Sequence, residues 1–461
     1  MKNATTLDCV SPIDGNVYAS RTVLTSSQAF EQVELARKAQ REWAARALSE
    51  RIALVQRGIE ILGERNEDIV PQLAWQMGRP VRYGGEFGGV NERSARMAEL
   101  AEQSLAPLII EQSDAFERRI ERMPHGVVLV VAPWNYPYMT AINTVVPALI
   151  AGNAVLLKHA TQTLLVGEHI AQAFHEAGVP TAVFQNVFLS HGLTSELISK
   201  RAFGFVNFTG SVSGGQAMEQ AAAGTFTHMG LELGGKDPGY VMDDADLAVA
   251  VDTLIDGAMF NSGQCCCGIE RIYVVESLFD EFVRQAVDIV SGYKLGDPLD
   301  ETTTLGPMAH VRFAAHVRKQ TSEAIAEGAT PLIDPSLFRE DDGGAYLAPQ
   351  ILVDVNHEMS VMREESFGPV VGIMKVKDDA QALELMNDSH YGLTASVWTQ
   401  DTERAARLGR QLDTGTVFMN RCDYLDPSLC WTGCKDTGRG AGLSVLGFHS
   451  VTRPKSFHFK K

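Results

Sequence analysis

The sequence is poor in cysteine and lacks the pattern of a disulfide-bonded protein. Its 461 residues include seven cysteines, an odd number, and three of them are adjacent at positions 265–267. Disulfide frameworks normally use an even number of spaced cysteines. No Cys/His set has the spacing of zinc ligands, so no metal site is expected. Because free thiols persist in a reducing compartment, we expect a cytoplasmic protein.

Long apolar runs and an excess of positive charge are also absent. The most apolar window, residues 126–157, contains Pro133, Asn135, Pro137 and Asn143. We interpret it as strand, loop, helix and strand rather than as a membrane span. The N-terminal segment lacks the basic-then-apolar pattern of a signal peptide. The formal net charge of −17 argues against a nucleic-acid or anionic-membrane partner.

The chain does contain a regular alternation of strand and helix patterns. A helix is predicted over residues 25–62, with Ser26 or Ser27 as its cap. Alternating elements imply a parallel sheet covered on both faces, which is the α/β class. Strands that precede helical patterns are predicted at 127–131, 154–158, 183–188, 204–208, 238–242 and 270–275.

Two segments interrupt this alternation. Residues 108–111 and 117–123 flank a turn and predict a hairpin, and residues 450–459 predict an extended strand. Neither segment has an obvious partner in the sheets of one subunit. Because exposed strand edges are normally covered, we expect these segments to pair between subunits.

Three segments carry side chains suited to acyl-type chemistry on a carbonyl. The cysteines at 265–267 follow an Asn-Ser-Gly turn, and a deprotonated thiol is a strong nucleophile; buried packing of all three is the alternative. Glu232 lies between two leucines, and burial raises a carboxyl pKa toward that of a general base. Asn135 lies on a Pro-rich loop after an apolar strand, where its amide can donate to an oxyanion.

Six motifs in one order resemble the aldehyde dehydrogenase superfamily, from about residue 11 to the C terminus. They are Pro133-Trp-Asn135, Lys158, Phe208-Thr-Gly-Ser211, Glu232-Leu-Gly-Gly-Lys236, Gly263-Gln-x-Cys266 and Glu365-x-Phe-Gly-Pro369.

The resemblance implies an α/β aldehyde dehydrogenase-like fold with three parts. A Rossmann-like dinucleotide-binding domain would comprise residues 1–105 and 125–233, and an α/β catalytic domain residues 234–447. Residues 106–124 and 448–461 would form a small β oligomerisation element, and the implied assembly is a homodimer or homotetramer.

The resemblance assigns the chemistry to Cys266, Glu232 and Asn135. Cys266 would attack the aldehyde, Asn135 and the Cys266 N–H would stabilise the oxyanion, hydride transfer would leave a thioester, and Glu232 would activate water. Gly442 replaces an acidic residue of many relatives, which leaves Glu232 as the base. A CoA-acylating relative would not need Glu232, and a non-catalytic family member would not need to keep all three residues.

The implied cofactor is NAD or NADP. Thr161 stands where many NAD-specific members have a Glu that repels a 2′-phosphate, and Lys158 with His159 adds positive or donor character to that pocket. We therefore expect both cofactors to be accepted. No Gly-x-Gly-x-x-Gly motif is present, and the family uses a looser glycine turn before a helix. The cofactor-binding residues that the resemblance implies are Trp134, Lys158, Thr161, Gly210, Ser211, Gly215, Leu233, Glu365 and Phe367.

The substrate tunnel implied by the resemblance is largely apolar. Its main lining residues would be Tyr136, Met139, Phe260 and Trp431, which favours an aromatic or medium aliphatic aldehyde. Succinate-semialdehyde members place an Arg where Phe260 stands. The absence of this arginine weakens the alternative of a succinate-semialdehyde substrate without excluding it.

The motif spacing generates a test of the nucleophile. Cys266→Ser is expected to abolish aldehyde oxidation, because Cys266 occupies the nucleophile position of Gly-Gln-x-Cys. Cys265→Ser and Cys267→Ser are matched controls and should keep most of the activity. Equal loss in all three folded variants, measured as turnover of one aldehyde, would contradict the assignment.

Overall fold

The structure is a computed structural model that describes residues 5–461 of the chain. Its strands are β1 Thr6–Val10, β2 Val17–Thr22, β3 Leu108–Gln112, β4 Phe116–Pro124, β5 Val127–Val131, β6 Ala154–Lys158, β7 Phe184–Asn186, β8 Phe205–Thr209, β9 His228–Glu232, β10 Asp237–Val241, β11 Ile269–Val275, β12 Thr330–Pro331, β13 Gln350–Val353, β14 Val370–Val376, β15 Tyr391–Gly392, β16 Thr394–Trp398, β17 Thr416–Met419, β18 Cys434–Lys435, β19 Gly438–Arg439 and β20 Thr452–Lys460. Its α-helices are α1 Ser26–Ala45, α2 Leu48–Glu64, α3 Asn66–Met77, α4 Phe87–Leu105, α5 Pro137–Ile150, α6 Leu164–Glu176, α7 His191–Ser199, α8 Val212–Ala222, α9 Leu247–Met259, α10 Phe279–Ser291, α11 Val311–Ala326, α12 Ser360–Arg363, α13 Asp379–Asn387, α14 Thr402–Gly409 and α15 Ser444–Ser450.

A six-stranded sheet has the order β19-β9-β8-β5-β6-β7 and is parallel except for β19. Its central strand β5 is buried throughout. Val128 and Val130 belong to one hydrophobic core, whereas Val127 and Leu129 belong to another. Successive side chains of a strand point to opposite faces, so both faces of this sheet are covered. The expected α/β class is confirmed.

A seven-stranded sheet with the order β12-β13-β14-β11-β10-β16-β17 forms the second core. It is parallel except for β12. In β11, Ile272 and Val274 pack in one core and Tyr273 packs in another, so this sheet is also covered on both faces. The predicted strands at 238–242 and 270–275 correspond to β10 and β11 in this sheet, and the other four predicted strands lie in the six-stranded sheet.

The predicted helix over residues 25–62 is wrong in one respect, because two helices, α1 and α2, occupy this segment. The guanidinium of Arg51 donates to the carbonyls of Ala44 and Arg46 and so satisfies the C-terminal end of α1. The cap is Thr25 rather than a serine, since its hydroxyl accepts a hydrogen bond from the Gln28 N–H at 3.3 Å.

The predicted hairpin and terminal strand form a three-stranded antiparallel sheet, β20-β4-β3. The expectation that the two segments lack a partner within one subunit is therefore wrong, because β20 pairs with β4 along residues 452–460. The pairing was missed because the two segments lie more than 300 residues apart in the chain. The apolar residues Leu108, Ile109 and Ile110 of β3 are more than half exposed.

No described helix combines the length and the apolar character that crossing a bilayer would require.

Candidate active site

The predicted catalytic residues converge between the two large sheets. Glu232 ends β9, Asn135 lies in the loop between β5 and α5, and Cys266 lies between α9 and β11. Cys266 and Glu232 both line a cavity of about 230 Å³, called the tunnel below, and a larger one of about 670 Å³, called the cleft. The thiol and the carboxylate thus stand where the two cavities meet.

The loop before Cys266 is a sharp left-handed turn. Asn261, Ser262 and Gly263 all have positive φ, at 55°, 55° and 69°. A Cβ at position 263 would lie 2.2 Å from the carbonyl oxygen of Gly368, so only glycine fits there. Asn261 and Ser262 are not glycines, so their positive φ angles are strained. Contacts with the surrounding structure must hold the turn in this conformation.

The three adjacent thiols differ in their access to the cavities. Cys265 and Cys267 are buried with their sulfurs 3.6 Å apart, whereas Cys266 is partly exposed and alone of the three lines both cavities. Hydrogen bonds from Cys266 and Cys267 lower the pKa of Cys265, and the contact with Cys265 raises the pKa of Cys266. The three thiols therefore titrate as one coupled group, and these shifts do not favour ionisation of Cys266 over that of Cys265. Access to both cavities, not acidity, distinguishes Cys266 from its neighbours.

Asn135 is fixed through its backbone, which leaves its side chain free. Its carbonyl accepts hydrogen bonds from the Arg79 guanidinium and from Asn261 Nδ2, the latter at 3.3 Å. Within residues 5–461 the Asn135 amide group has no hydrogen-bond partner, and the residue lines the cleft beside Cys266. Its N–H groups are available to an oxyanion.

Glu232 has the environment of a general base. Burial raises the pKa of its carboxyl to about 7, and the opposing effects come from Thr209 and Arg93. The Thr209 hydroxyl donates to Glu232 Oε2 at 3.2 Å. Gly442 lies against the same carboxyl: a Cβ at this position would stand 3.1 Å from Glu232 Oε1.

One end of the cleft is built from stacked aromatic rings. Trp134 stacks on Phe313 with ring centroids 5.0 Å apart and meets Phe367 edge-on at 5.5 Å. Glu365 accepts a hydrogen bond from the Gly235 N–H at 3.0 Å, and burial raises the pKa of its carboxyl to about 8.

The segment that carries Phe367 is held by a buried ion pair that the sequence analysis did not identify. Lys236 pairs with Glu270, and Glu270 accepts hydrogen bonds from the backbone N–H groups of Ser366 and Phe367 at 2.8 and 2.9 Å. Lys236 also donates to the Ser366 hydroxyl at 3.0 Å. These contacts set the position of Phe367 in the cleft.

The other end of the cleft contains Lys158 and Thr161. Burial lowers the pKa of Lys158 to about 8. The expectation for His159 is wrong: it is buried, its Nε2 lies 3.1 Å from the Pro137 carbonyl oxygen, and burial lowers its pKa to about 4. It is neutral at pH 7 and lies outside the cleft lining, so it adds no charge there.

The glycine turn lies beside the cleft as the sequence suggests, with one difference. Gly210 and Ser211 line the cleft, and Ser211 caps α8 by accepting from the Gly214 N–H at 3.2 Å. Gly215 does not belong to the lining within residues 5–461; it packs on Leu233, where a Cβ would come within 2.6 Å of that side chain. Leu233 itself lines both cavities.

The tunnel contains the four main lining residues predicted for it and three charged residues that were not predicted. Tyr136, Met139, Phe260 and Trp431 all line it. The charged residues that were not predicted are Arg93, Asp256 and Asp423. No local motif marks Arg93, because it reaches the tunnel from α4, far from the other site residues in sequence.

A thiol that reaches two cavities, a buried carboxyl and a free amide beside it are the groups that a cysteine-dependent α/β enzyme uses on a carbonyl. The model of the protein family described as "Aldehyde dehydrogenase family" matches residues 1–457. The chain belongs to the aldehyde dehydrogenase family, which confirms the resemblance and the fold class.

Three similar proteins illustrate the match. The chain is 34% identical over 447 residues to a succinate-semialdehyde dehydrogenase [NADP(+)] of Deinococcus radiodurans, covering 97% of this chain and 93% of that protein. It is 34% identical to a vanillin dehydrogenase of Corynebacterium glutamicum, covering 94% of this chain and 89% of that protein. A crystal structure of NADP-dependent glyceraldehyde-3-phosphate dehydrogenase from Bacillus halodurans complexed with NADP superposes with a TM-score of 0.92 at 31% identity, covering 100% and 96% of the two chains.

The environment of Glu232 generates a kinetic prediction. If its carboxylate deprotonates water, acid release should accelerate as the pH rises to about 7 and level off above it, since only the ionised form is a base. Glu232→Gln should keep a pre-steady-state burst of reduced cofactor while slowing steady-state turnover and removing this pH step. Stopped-flow absorbance measures both phases, and loss of the burst itself would show that Glu232 acts before hydride transfer.

Proposed function

We propose that the protein oxidises an aldehyde to its carboxylic acid with NAD or NADP, through a covalent acyl intermediate on Cys266. The observation that supports this most is the position of Cys266, which lines both cavities and shares them with Glu232. A substrate in the tunnel and a cofactor in the cleft would meet at this sulfur.

Each step has a residue suited to it. The Cys266 thiolate adds to the carbonyl carbon, and the resulting alkoxide accepts hydrogen bonds from Asn135 Nδ2 and the Cys266 N–H. When bound, the nicotinamide ring supplies the acceptor for the hydride that leaves this carbon. Glu232 then takes a proton from water, the hydroxide adds to the thioester, and the thiolate leaves as the acid is released.

The residues that line the cleft support its use by a dinucleotide. Trp134 and Phe367 offer aromatic surface at one end, and the Ser211-capped start of α8 offers free N–H groups to phosphate. In the described part of the chain, the Lys158 ammonium has no ion-pair partner, and Thr161 adds no negative charge beside it. We therefore propose that NADP is accepted as well as NAD.

The tunnel favours a small or medium aldehyde with an aromatic or aliphatic body. At about 230 Å³ it lies below the range of about 300–1,000 Å³ usual for drug-sized ligands. A succinate-semialdehyde substrate remains the alternative, and similar proteins carry that name as well as vanillin dehydrogenase. A panel of aldehydes assayed with both cofactors tests the function, and identification of the product as acid rather than acyl-CoA tests the hydrolytic role of Glu232.

We also propose the division into a dinucleotide-binding part, a catalytic part and an oligomerisation element that the resemblance implies. The two large sheets support the first two parts, although β19 joins the first sheet from the catalytic segment. The exposed apolar edge strand β3 supports a homodimer or homotetramer, because such edges are normally covered. The free thiols favour a reducing compartment, and we propose the cytoplasm.

The cofactor proposal predicts the effect of a charge at position 161. Thr161→Glu should lower kcat/KM for NADP by about ten- to a hundredfold through repulsion of the 2′-phosphate, with a smaller effect on NAD. Thr161→Gln is the matched control, because it has the same shape without the charge. A wild type that already rejects NADP a thousandfold, or equal losses in both variants, would show that another residue sets the choice.

The oligomer proposal predicts the effect of removing the terminal strand. Deleting residues 450–461 takes β20 away from β4 and leaves that edge unpaired. We expect the shortened chain to run as a monomer or to aggregate in light scattering. An unchanged oligomer would contradict a role for the terminal strand in assembly.

A further inference from the structure

Arg93 is a buried cation in the tunnel with most of its hydrogen-bonding capacity unused. It lies on α4, is only 8% exposed and lines the tunnel that contains Cys266. Its guanidinium donates to Asn143 Oδ1 at 3.1 Å, and within residues 5–461 this is its one hydrogen bond to the protein. A guanidinium has five N–H donors, and no carboxylate in the described structure forms an ion pair with this one.

The nearest acids do not neutralise Arg93. Glu86 is committed elsewhere, since its carboxylate pairs with Arg79 at 2.8 Å and accepts two backbone N–H groups. Burial lowers the pKa of Arg93, and the charges of Glu86, Cys267, Cys266 and Glu92 oppose this effect. Arg93 in turn lowers the pKa of Glu232, although the two side chains form no ion pair within residues 5–461. An arginine remains protonated even so, and a buried charge without a partner is costly.

We propose that Arg93 binds a carboxylate at the far end of the aldehyde substrate, so that the enzyme selects aldehydes that carry an acid group. This inference rests on the proposed aldehyde oxidation and names the class of substrate within it. The planar guanidinium suits two parallel hydrogen bonds to a carboxylate, and a substrate anion would supply the missing counter-charge. Asn143 holds the guanidinium in place without using its remaining donors.

Two other carboxyls of the tunnel restrict where the anion can lie. Asp256 and Asp423 both line the tunnel. Burial raises the pKa of Asp423 to about 7, and the charges of Cys265 and Asp256 raise it further. Because an ionised carboxyl at either position would repel an anion, the substrate carboxylate is expected on the Arg93 side of the tunnel.

The test compares each acid-bearing aldehyde with a neutral partner of similar shape. The pairs are succinate semialdehyde with butanal, and para-formylbenzoate with para-tolualdehyde. Wild type should prefer one or both acid-bearing members by at least about tenfold in kcat/KM, the range expected for a charged hydrogen bond. Absence of any preference, while neutral aldehydes are oxidised, would overturn this inference alone. Absence of oxidation of every aldehyde would overturn the proposed function.

Variants of α4 assign the preference to one residue. Arg93→Gln should remove the preference, mainly through a higher KM for the acid-bearing substrate, so that kcat/KM falls at least about tenfold further for the acid-bearing member of each pair than for the neutral member. Arg93→Lys keeps the positive charge and should therefore retain part of the preference for acid-bearing aldehydes. Arg96→Gln is the control, since Arg96 is an exposed arginine of the same helix paired with Glu99. Equal losses for acid-bearing and neutral aldehydes in Arg93→Gln would show a structural role and overturn the inference.

A measurement on the wild type keeps the inference testable if Arg93→Gln does not fold. Succinate and butyrate are compared as competitive inhibitors of butanal oxidation, because one carboxylate of succinate can take the place of the product acid while the other reaches Arg93. Succinate should inhibit at least about tenfold more strongly. Equal inhibition constants would overturn the inference.

Discussion

The buried ion pair between Arg79 and Glu86 positions Asn135, the proposed oxyanion donor, and the start of α5. The two side chains are only 4% and 2% exposed. Arg79 donates to the Asn135 carbonyl, and Glu86 accepts the N–H groups of Tyr138 and Met139 at the start of α5. Removing one partner of such a pair costs about 3–5 kcal/mol, because the other charge stays buried. The site thus depends on a contact that touches neither cavity.

The proposed chemistry uses side chains that the surrounding structural contacts leave available to a substrate. Within residues 5–461 the backbone carbonyl of Asn135 accepts two hydrogen bonds while its side-chain amide has no partner, and Cys266 alone among three adjacent thiols reaches both cavities. Glu232 is buried enough to act as a base near neutral pH. Gly442 lies against this carboxyl, where a Cβ would stand 3.1 Å from Oε1, so the missing side chain leaves that oxygen uncrowded on this side.

The sequence predicts what is encoded locally and misses what arises from distant contacts. Apolar runs located β5 and β6 to the residue, and motif spacing brought the three catalytic residues to one place. The break between α1 and α2 depends on Arg51, and the neutral state of His159 depends on its burial. Arg79, Glu270 and Arg93 carry no motif, because their partners lie elsewhere in the chain and only the fold brings them together.

The central claim is that an acyl group is carried by Cys266, and mapping that group tests it most directly. The enzyme is mixed with an aldehyde and oxidised cofactor, quenched in acid during the first turnover, digested, and analysed by tandem mass spectrometry. Cys266 is expected to gain the mass of the acyl group less one hydrogen, with Cys265 and Cys267 unmodified. An acyl group on either neighbour, or none anywhere during productive turnover, would contradict it.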